Sequence, residues 1–200
     1  MLFCPSQAVS SVLWYFLMYM WIIRSVHSIP NDLGFGKWRK PQLTWTIYRY
    51  PDARKHPKMS SKAFERYVHD SMTKALKIWS KAVPIQFLKD ESKSAQIKVF
   101  FYSLAHKDRY PFDGTGGELA HTFYPDEQKK GEIHIDDDEP WSPDGGRNLE
   151  WTLAHELGHA LGIPHLSAPS LMQEGYRGYL NSPRLTPIDI EAAKMLYNLN

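Results

Sequence analysis

Hydrophobic positions along the chain follow two periods, and each change of period marks an element. Residues 43–50, Leu-Thr-Trp-Thr-Ile-Tyr-Arg-Tyr, are rich in β-branched and aromatic side chains and read as a strand. Pro51 and Pro57 bracket the loop that follows. Apolar residues then fall on one helical face at Phe64, Tyr67, Val68, Met72, Ala75, Leu76, Trp79 and Val83. Ser60 or Ser61 can cap this helix, and Pro84 stops it. Residues 85–88 and 97–102 are two further apolar runs of strand type. Residues 103–147 lack either period and are dense in His, Asp and Gly. A loop of that length inside a compact domain is usually functional or disordered, and bound metal would explain its order. A last helix is predicted over 186–199, with Thr186 as cap, Pro187 at the first helical position and Asp189 three after the cap. Its buried face would be Ile188, Ala192, Met195, Leu196 and Leu199.

Composition narrows the class. Two hundred residues, 42% hydrophobic and 14% aromatic, suit one globular domain with a proper core. A net charge of only +2, with no long basic run, gives no support to a nucleic-acid role. The single cysteine, Cys4, excludes an internal disulfide framework. Residues 9–23 are nearly all apolar and are followed by Arg24. That run is short for a membrane span of about 20 residues and suits the apolar core of a signal peptide. Val26 and Ser28 are small enough for cleavage after Ser28, although residues 1–8 hold no Lys or Arg. The expected organisation is a signal peptide, 1–28, and a secreted domain, 29–200. An uncleaved signal anchor is the alternative, and only then does the chain meet a membrane.

Between the loop-rich stretch and the last helix lies His155-Glu156-Leu-Gly-His159-Ala-Leu-Gly162-Ile-Pro-His165. On a helix, His155 and His159 stand one above the other on the same face. Gly162 can end that helix in a left-handed conformation, and the returning chain can supply His165 as a third nitrogen. Three neutral imidazoles leave a zinc ion its full charge and one open position, as catalytic sites require. Water on such an ion has its pKa lowered to about 7, and Glu156 is placed to take its proton. A buried helix that merely carries a histidine would show one on this face; three at ligand spacing, with a base beside them, argue for metal.

The pattern H-E-x-x-H-x-x-G-x-x-H is that of the metzincin proteases, and the loop before it makes the resemblance more specific. The segments 106–121, His-Lys-Asp-Arg-Tyr-Pro-Phe-Asp-Gly-Thr-Gly-Gly-Glu-Leu-Ala-His, and 132–141, Glu-Ile-His-Ile-Asp-Asp-Asp-Glu-Pro-Trp, resemble the metal loop of the matrixins, the matrix metalloproteinases. The likeness runs from about Lys37 to the C-terminus. It implies an α/β fold, with a twisted, mostly parallel sheet packed on two long helices. A small C-terminal subdomain with a Met-turn and a final helix follows Gly162. It implies a second, structural zinc on His106, Asp108, His121 and His134, four ligands with no open position. It also implies at least one calcium, held by Asp113, Asp136 and Glu139 with backbone oxygens around Gly114, Gly116 and Glu118; hard oxygen donors suit that ion. Leu119 and Ala120 match the edge strand that pairs with an extended substrate. Trp151 and Tyr176 match the pocket for the side chain just after the scissile bond. Met172 matches the Met-turn beneath the zinc, and Asp189 matches the acid that props it.

Several positions depart from the family pattern. Leu166 replaces the usual Ser, and Gln173-Glu174 replaces the Tyr-Pro after the Met-turn. Gln128 and Lys130 stand where a second calcium loop would donate oxygen, so that ion is not expected. Ile188 replaces an acidic residue that would meet a freed amino terminus. Cys4 precedes the apolar segment, and only residues 29–36 lie between Ser28 and Lys37. A cysteine-bearing propeptide of the usual kind has no room there, so the expectation is a chain active without prosegment removal, or one restrained by a separate protein or by an exon missing from this sequence. The resemblance implies a secreted zinc endopeptidase with Glu156 as general base, two zincs per chain and an extended polypeptide as substrate. A separate protein inhibitor is a further expected partner, and the chain is expected to be a monomer. The rival readings are a non-catalytic, zinc-stabilised binding protein and another metzincin branch, such as the astacins or adamalysins. Leu166 fits neither the Glu nor the Asp that those two branches place there.

Overall fold

The computed structural model describes residues 35–92, 94–176, 178 and 182–199. The proposed signal segment and Cys4 lie outside these residues. Five strands form one sheet: β1 (Gln42–Arg49), β2 (Gln86–Lys89), β3 (Ile97–Tyr102), β4 (Ala120–Thr122) and β5 (Glu132–Asp136). Their order is β2-β1-β3-β5-β4, with all neighbours parallel except the β4–β5 pair. Three α-helices complete the domain: α1 (Ser61–Trp79), α2 (Leu149–Ala160) and α3 (Pro187–Tyr197). No helix among the described residues is long and apolar enough to cross a membrane. This is the expected α/β architecture.

The sheet's period of two sorts side chains onto its faces. Leu43, Trp45 and Ile47 of β1, Ile97, Val99 and Phe101 of β3, and Ile133 and Ile135 of β5 join one buried core. Phe64, Val68, Met72, Ala75, Leu76 and Trp79 of α1 and Leu149, Leu153, Ala154 and Leu157 of α2 meet them there. Trp79 also donates its indole N–H to the Ala154 carbonyl at 2.7 Å, tying the two helices together. The other face of the sheet carries His134 and Asp136, and the loop 103–117 brings His106 and Phe112 against it.

Three expectations about boundaries need correction. Helix α1 ends at Trp79, with Val83 buried in the turn beyond it and not on the helix. Helix α3 stops at Tyr197 because Asn198 turns left-handed (φ 53°), which leaves Leu199 exposed and off the buried face. The stretch 103–147 also contains β4 and β5, so it is less irregular than its lack of period suggests.

Helix α2 ends as Gly162 anticipates. Its φ is +101°, and Ile163 N–H reaches the Gly158 carbonyl while Gly162 N–H reaches that of His159. A Cβ on Gly162 would collide with the Gly36 carbonyl. The remaining end carbonyls are also claimed: Trp38 donates to Ala160 at 2.7 Å and the Tyr197 hydroxyl to Leu161 at 2.9 Å. Few motions remain open to the turn that carries the chain to His165.

Candidate metal centres and active-site cleft

Asn148 caps α2 by accepting the Trp151 N–H, which sets where the helix begins. One turn on, His155 Nδ1 donates to the Leu171 carbonyl at 2.7 Å, and His159 Nδ1 donates to that of Ile163 at 2.8 Å. With Nδ1 protonated, each ring presents its Nε2 lone pair to the cleft. The Nε2 atoms of His155 and His159 lie 3.1 Å apart, and those of His155 and His165 3.3 Å apart. Bare lone pairs this close repel. Zinc–nitrogen bonds of about 2.0–2.1 Å at tetrahedral angles give edges of about 3.3–3.4 Å, so these nitrogens are spaced to share one ion. Burial pushes the His155 pKa down to about 4 and holds that of His159 well below its ordinary value, which keeps both rings neutral as ligands.

Glu156 faces the same cleft and is 6% exposed. Its burial drives the carboxyl pKa up to about 7, and a hydrogen bond from the Thr122 hydroxyl at 2.7 Å opposes that rise. A carboxyl poised near neutrality can accept a proton and return it.

The supports for this group come from the C-terminal subdomain. Asp189 is fully buried and accepts from Leu171 N–H at 2.9 Å, Met172 N–H at 3.2 Å, Thr186 N–H at 2.7 Å and the Ser170 hydroxyl. The Leu171 carbonyl thus fixed is the one that orients His155. Met172 packs against Gly158 of α2, where a Cβ would strike its sulfur. Ile188, in place of an acid, is buried in the core.

A second group gathers on the far face of the sheet. Asp108 Oδ2 lies 3.0 Å from His106 Nε2, 3.2 Å from His121 Nε2 and 2.8 Å from His134 Nδ1. All four residues hold their ligand atoms within 4.8 Å of one another. His106 Nδ1 donates to the Leu104 carbonyl at 2.7 Å, leaving Nε2 as its inward atom. Burial lowers the His121 pKa to about 4, again favouring a neutral ring. Three nitrogens around one carboxylate oxygen, at near-tetrahedral edge lengths, suit a closed zinc site. Strand β4 serves both groups, since its alternation turns His121 to this face and Thr122 to the Glu156 side.

The acidic loop is less converged. Among the described residues Asp113, Asp136 and Glu139 do not form a third group within 4.8 Å. Glu139 accepts from Gly116 N–H at 2.5 Å and from Arg147 Nε at 2.9 Å, and Asp113 accepts from Glu118 N–H at 3.2 Å. Asp136 Oδ2, however, is buried with no partner. Its burial and the nearby charges of Asp138, Glu139 and Asp113 raise its pKa to about 6. An orphaned carboxylate oxygen at the end of β5, among like charges that include Asp113 of the loop turned by Gly114 and Gly116, fits a hard cation.

Leu119, Ala120, Trp151, His155, Glu156, His165 and Tyr176 line one cleft of about 330 Å³. The Trp151 ring stacks on His155 at 5.2 Å (21°) and meets Tyr176 edge-on at 5.2 Å (79°). The Tyr176 hydroxyl accepts Asn148 N–H at 2.8 Å, and Arg147 lies over its ring at 5.4 Å.

Three contributors escape sequence reasoning: Thr122, Arg147, and Tyr124, whose hydroxyl lies 3.0 Å from His159 Nδ1. A period of two carried on from Ala120 would have placed Thr122 on the Glu156 face; no local signal marks the other two.

Comparison with known proteins agrees with this geometry. The matrixin family model matches residues 37–198. Stromelysin-3 of Homo sapiens is 34% identical over 167 residues, covering 82% of this chain and 32% of that protein. Matrix metalloproteinase-26 of Homo sapiens is 38% identical over 169 residues, 82% of this chain and 60% of its own. Macrophage metalloelastase of Rattus norvegicus is 39% identical over 180 residues, 88% of this chain and 36% of its own. The chain thus spans about a third of the length of stromelysin-3 and of the metalloelastase. With its matching span, its sheet order and its two histidine groups together, this chain belongs to the matrixin family.

Proposed function

We propose that the chain is a zinc endopeptidase that cleaves extended polypeptides outside the cell. The observation that carries this reading is the approach of the Nε2 atoms of His159 and His165 to that of His155, at 3.1 and 3.3 Å, beside the buried carboxyl of Glu156. His155, His159 and His165 hold a zinc ion, which when bound supplies a Lewis acid and a lowered pKa for water. Glu156 takes the proton of the attacking water and returns a proton to the leaving amine. Strand β4 ends the sheet, so Leu119 and Ala120 border a free edge beside the cleft, where a substrate strand pairs through its backbone. Trp151 and Tyr176 wall the pocket for the side chain after the scissile bond. His106, Asp108, His121 and His134 hold a second, structural zinc, and the loop of Asp113, Gly114, Gly116, Glu118, Asp136 and Glu139 holds calcium. Relatives named as a matrix metalloproteinase and a metalloelastase support extracellular matrix proteins as the substrate class.

Incubating the purified chain with a library of unmodified peptides, and sequencing the products, tests this. Internal cleavage that chelator abolishes, that zinc restores and that Glu156→Ala lacks is the expected result. Binding of peptides without cleavage by a fully zinc-loaded chain would instead establish a non-catalytic binding protein.

A further inference from the structure

Strand β4 is only three residues long, and its pairing with β5 is fixed by Ala120↔Ile135, His121↔His134 and Thr122↔Ile133. With His121 committed to the far-face metal group, alternation directs Thr122 towards α2. There its hydroxyl donates to Glu156 Oε2 at 2.7 Å, a contact 34 residues apart in sequence. Glu156 is buried on α2 beside His155, and among the hydrogen bonds of the described residues Thr122 is its one side-chain partner. The bond occupies Oε2 and leaves Oε1 as the oxygen that can face a reacting water. A glutamate side chain has three rotatable bonds, and freezing them toward one face takes a directional partner. A hydroxyl is suited to this, because it donates to a carboxylate and, by rotating, can accept from a carboxylic acid.

We propose that Thr122 is a positioning residue for Glu156: its hydroxyl holds Oε2 and aims Oε1 at the attacking water in both protonation states of the carboxyl. This inference rests on the peptidase reading above. A side chain on a sheet edge thereby sets the aim of a group on a helix, so the strand that borders the substrate also orients the base. Loss of the hydroxyl frees the carboxyl to swing away from the cleft, which slows the chemical step and leaves the binding of an extended substrate unchanged.

Three variants separate positioning from packing. Thr122→Val keeps the shape and removes the hydroxyl, Thr122→Ala removes both, and Thr122→Ser restores the hydroxyl alone. In the full chain, Thr122→Val is expected to lower kcat about tenfold at unchanged KM, the fold-change to which one hydrogen bond to a charged group corresponds. Thr122→Ser is expected to stay within about threefold of the parent. Zinc retention in chelator competition should match the parent for all three. Crystal structures of the zinc-loaded parent and Thr122→Val provide a readout independent of turnover: one Glu156 orientation in the parent, several in the variant. Overturning results are a Thr122→Val kcat within twofold of the parent, a loss appearing in KM alone, a serine variant as impaired as valine, or a Glu156 unmoved in the valine crystal. If the parent itself cleaves nothing, the peptidase reading fails, while the zinc-loaded crystals still decide whether Thr122 orients Glu156.

Discussion

At the scale of single residues, Glu156 and Trp151 put different physics at the same cleft. Glu156 is buried, and desolvation drives its carboxyl pKa up to about 7. Glu156→Ala should leave the histidine groups and their zinc in place while turnover falls by roughly 10²–10⁴-fold, the range of a lost general base. Elemental analysis beside a peptide-cleavage assay checks both halves, and residual turnover within tenfold of the parent would remove Glu156 from the mechanism. Trp151 presents a large flat ring stacked on His155 and braced edge-on by Tyr176. In the proposed substrate geometry such a ring closes the pocket behind the scissile bond, so short side chains such as Leu, Ile or Met should be preferred there. Long biaryl groups should bind more weakly, since displacing packed atoms costs about 1–3 kcal/mol. Trp151→Ala should selectively tighten inhibitors that carry such groups. Equal inhibition constants for long and short groups in the parent would refute a shallow pocket.

At the scale of elements, what the sequence reveals depends on how local the determining contacts are. The histidine-bearing helix is legible because two candidate ligands four apart need only helical period, and Gly162 announces its end two residues before Pro164. The core face of α1 is legible for the same reason, and all but half-buried Tyr67 of its predicted apolar residues up to Trp79 are buried. Strand β5 is not legible from period alone: only Ile133 and Ile135 alternate, on either side of His134, which belongs to the far-face histidine group. Strand β4 is shorter still, and its contact from Thr122 to Glu156 depends on which face His121 takes. The helix end at Trp79 passes into a turn in which Ala82 and Val83 N–H both reach the Trp79 carbonyl, and the end at Tyr197 is set by a left-handed Asn198; propensity encodes neither. Gly162 tests the element-scale argument. At φ +101°, with the Gly36 carbonyl where a Cβ would go, Gly162→Ala carries both backbone strain and a collision. Strain of about 1–3 kcal/mol corresponds to a Tm lower by roughly 2–12 °C in a domain of this size. A thermal melt of the metal-loaded variant that matches the parent would show that the turn adapts.

At the scale of the whole molecule, the two faces of the sheet are stabilised by different means. One face buries a continuous apolar core between sheet and helices. The other carries His106, Asp108, His121 and His134 under a loop whose order depends on polar groups. Structural zinc binding contributes roughly 10–16 kcal/mol in small zinc domains, comparable with a whole domain's stability of about 5–15. Prolonged chelation should therefore unfold the chain and not merely silence it, and a melting curve indifferent to chelator would contradict this. The acidic loop adds a pH dependence whose sign follows from Asp136. Its pKa is raised in the folded chain from about 3.8 to about 6, by burial and by the charges of Asp138, Glu139 and Asp113. Between those values the folded chain binds more proton than the unfolded one, so stability falls as pH rises. Well below pH 3.8 the group is neutral in both states and costs nothing; above about 6 the folded chain carries the full cost of a buried carboxylate whose Oδ1 accepts the Asp138 N–H but whose Oδ2 has no partner. Calcium at the loop would reverse the preference by favouring the charged form. Denaturant titrations of zinc-loaded chain from pH 4.5 to 7 should thus show calcium adding little stability at the acid end and progressively more toward neutrality. Asp136→Asn should flatten that difference, because an amide neither titrates in this range nor offers the cation a charge. A calcium increment that is constant across the range, or that survives intact in the asparagine variant, would mean that Asp136 is not the group through which the loop meets its cation.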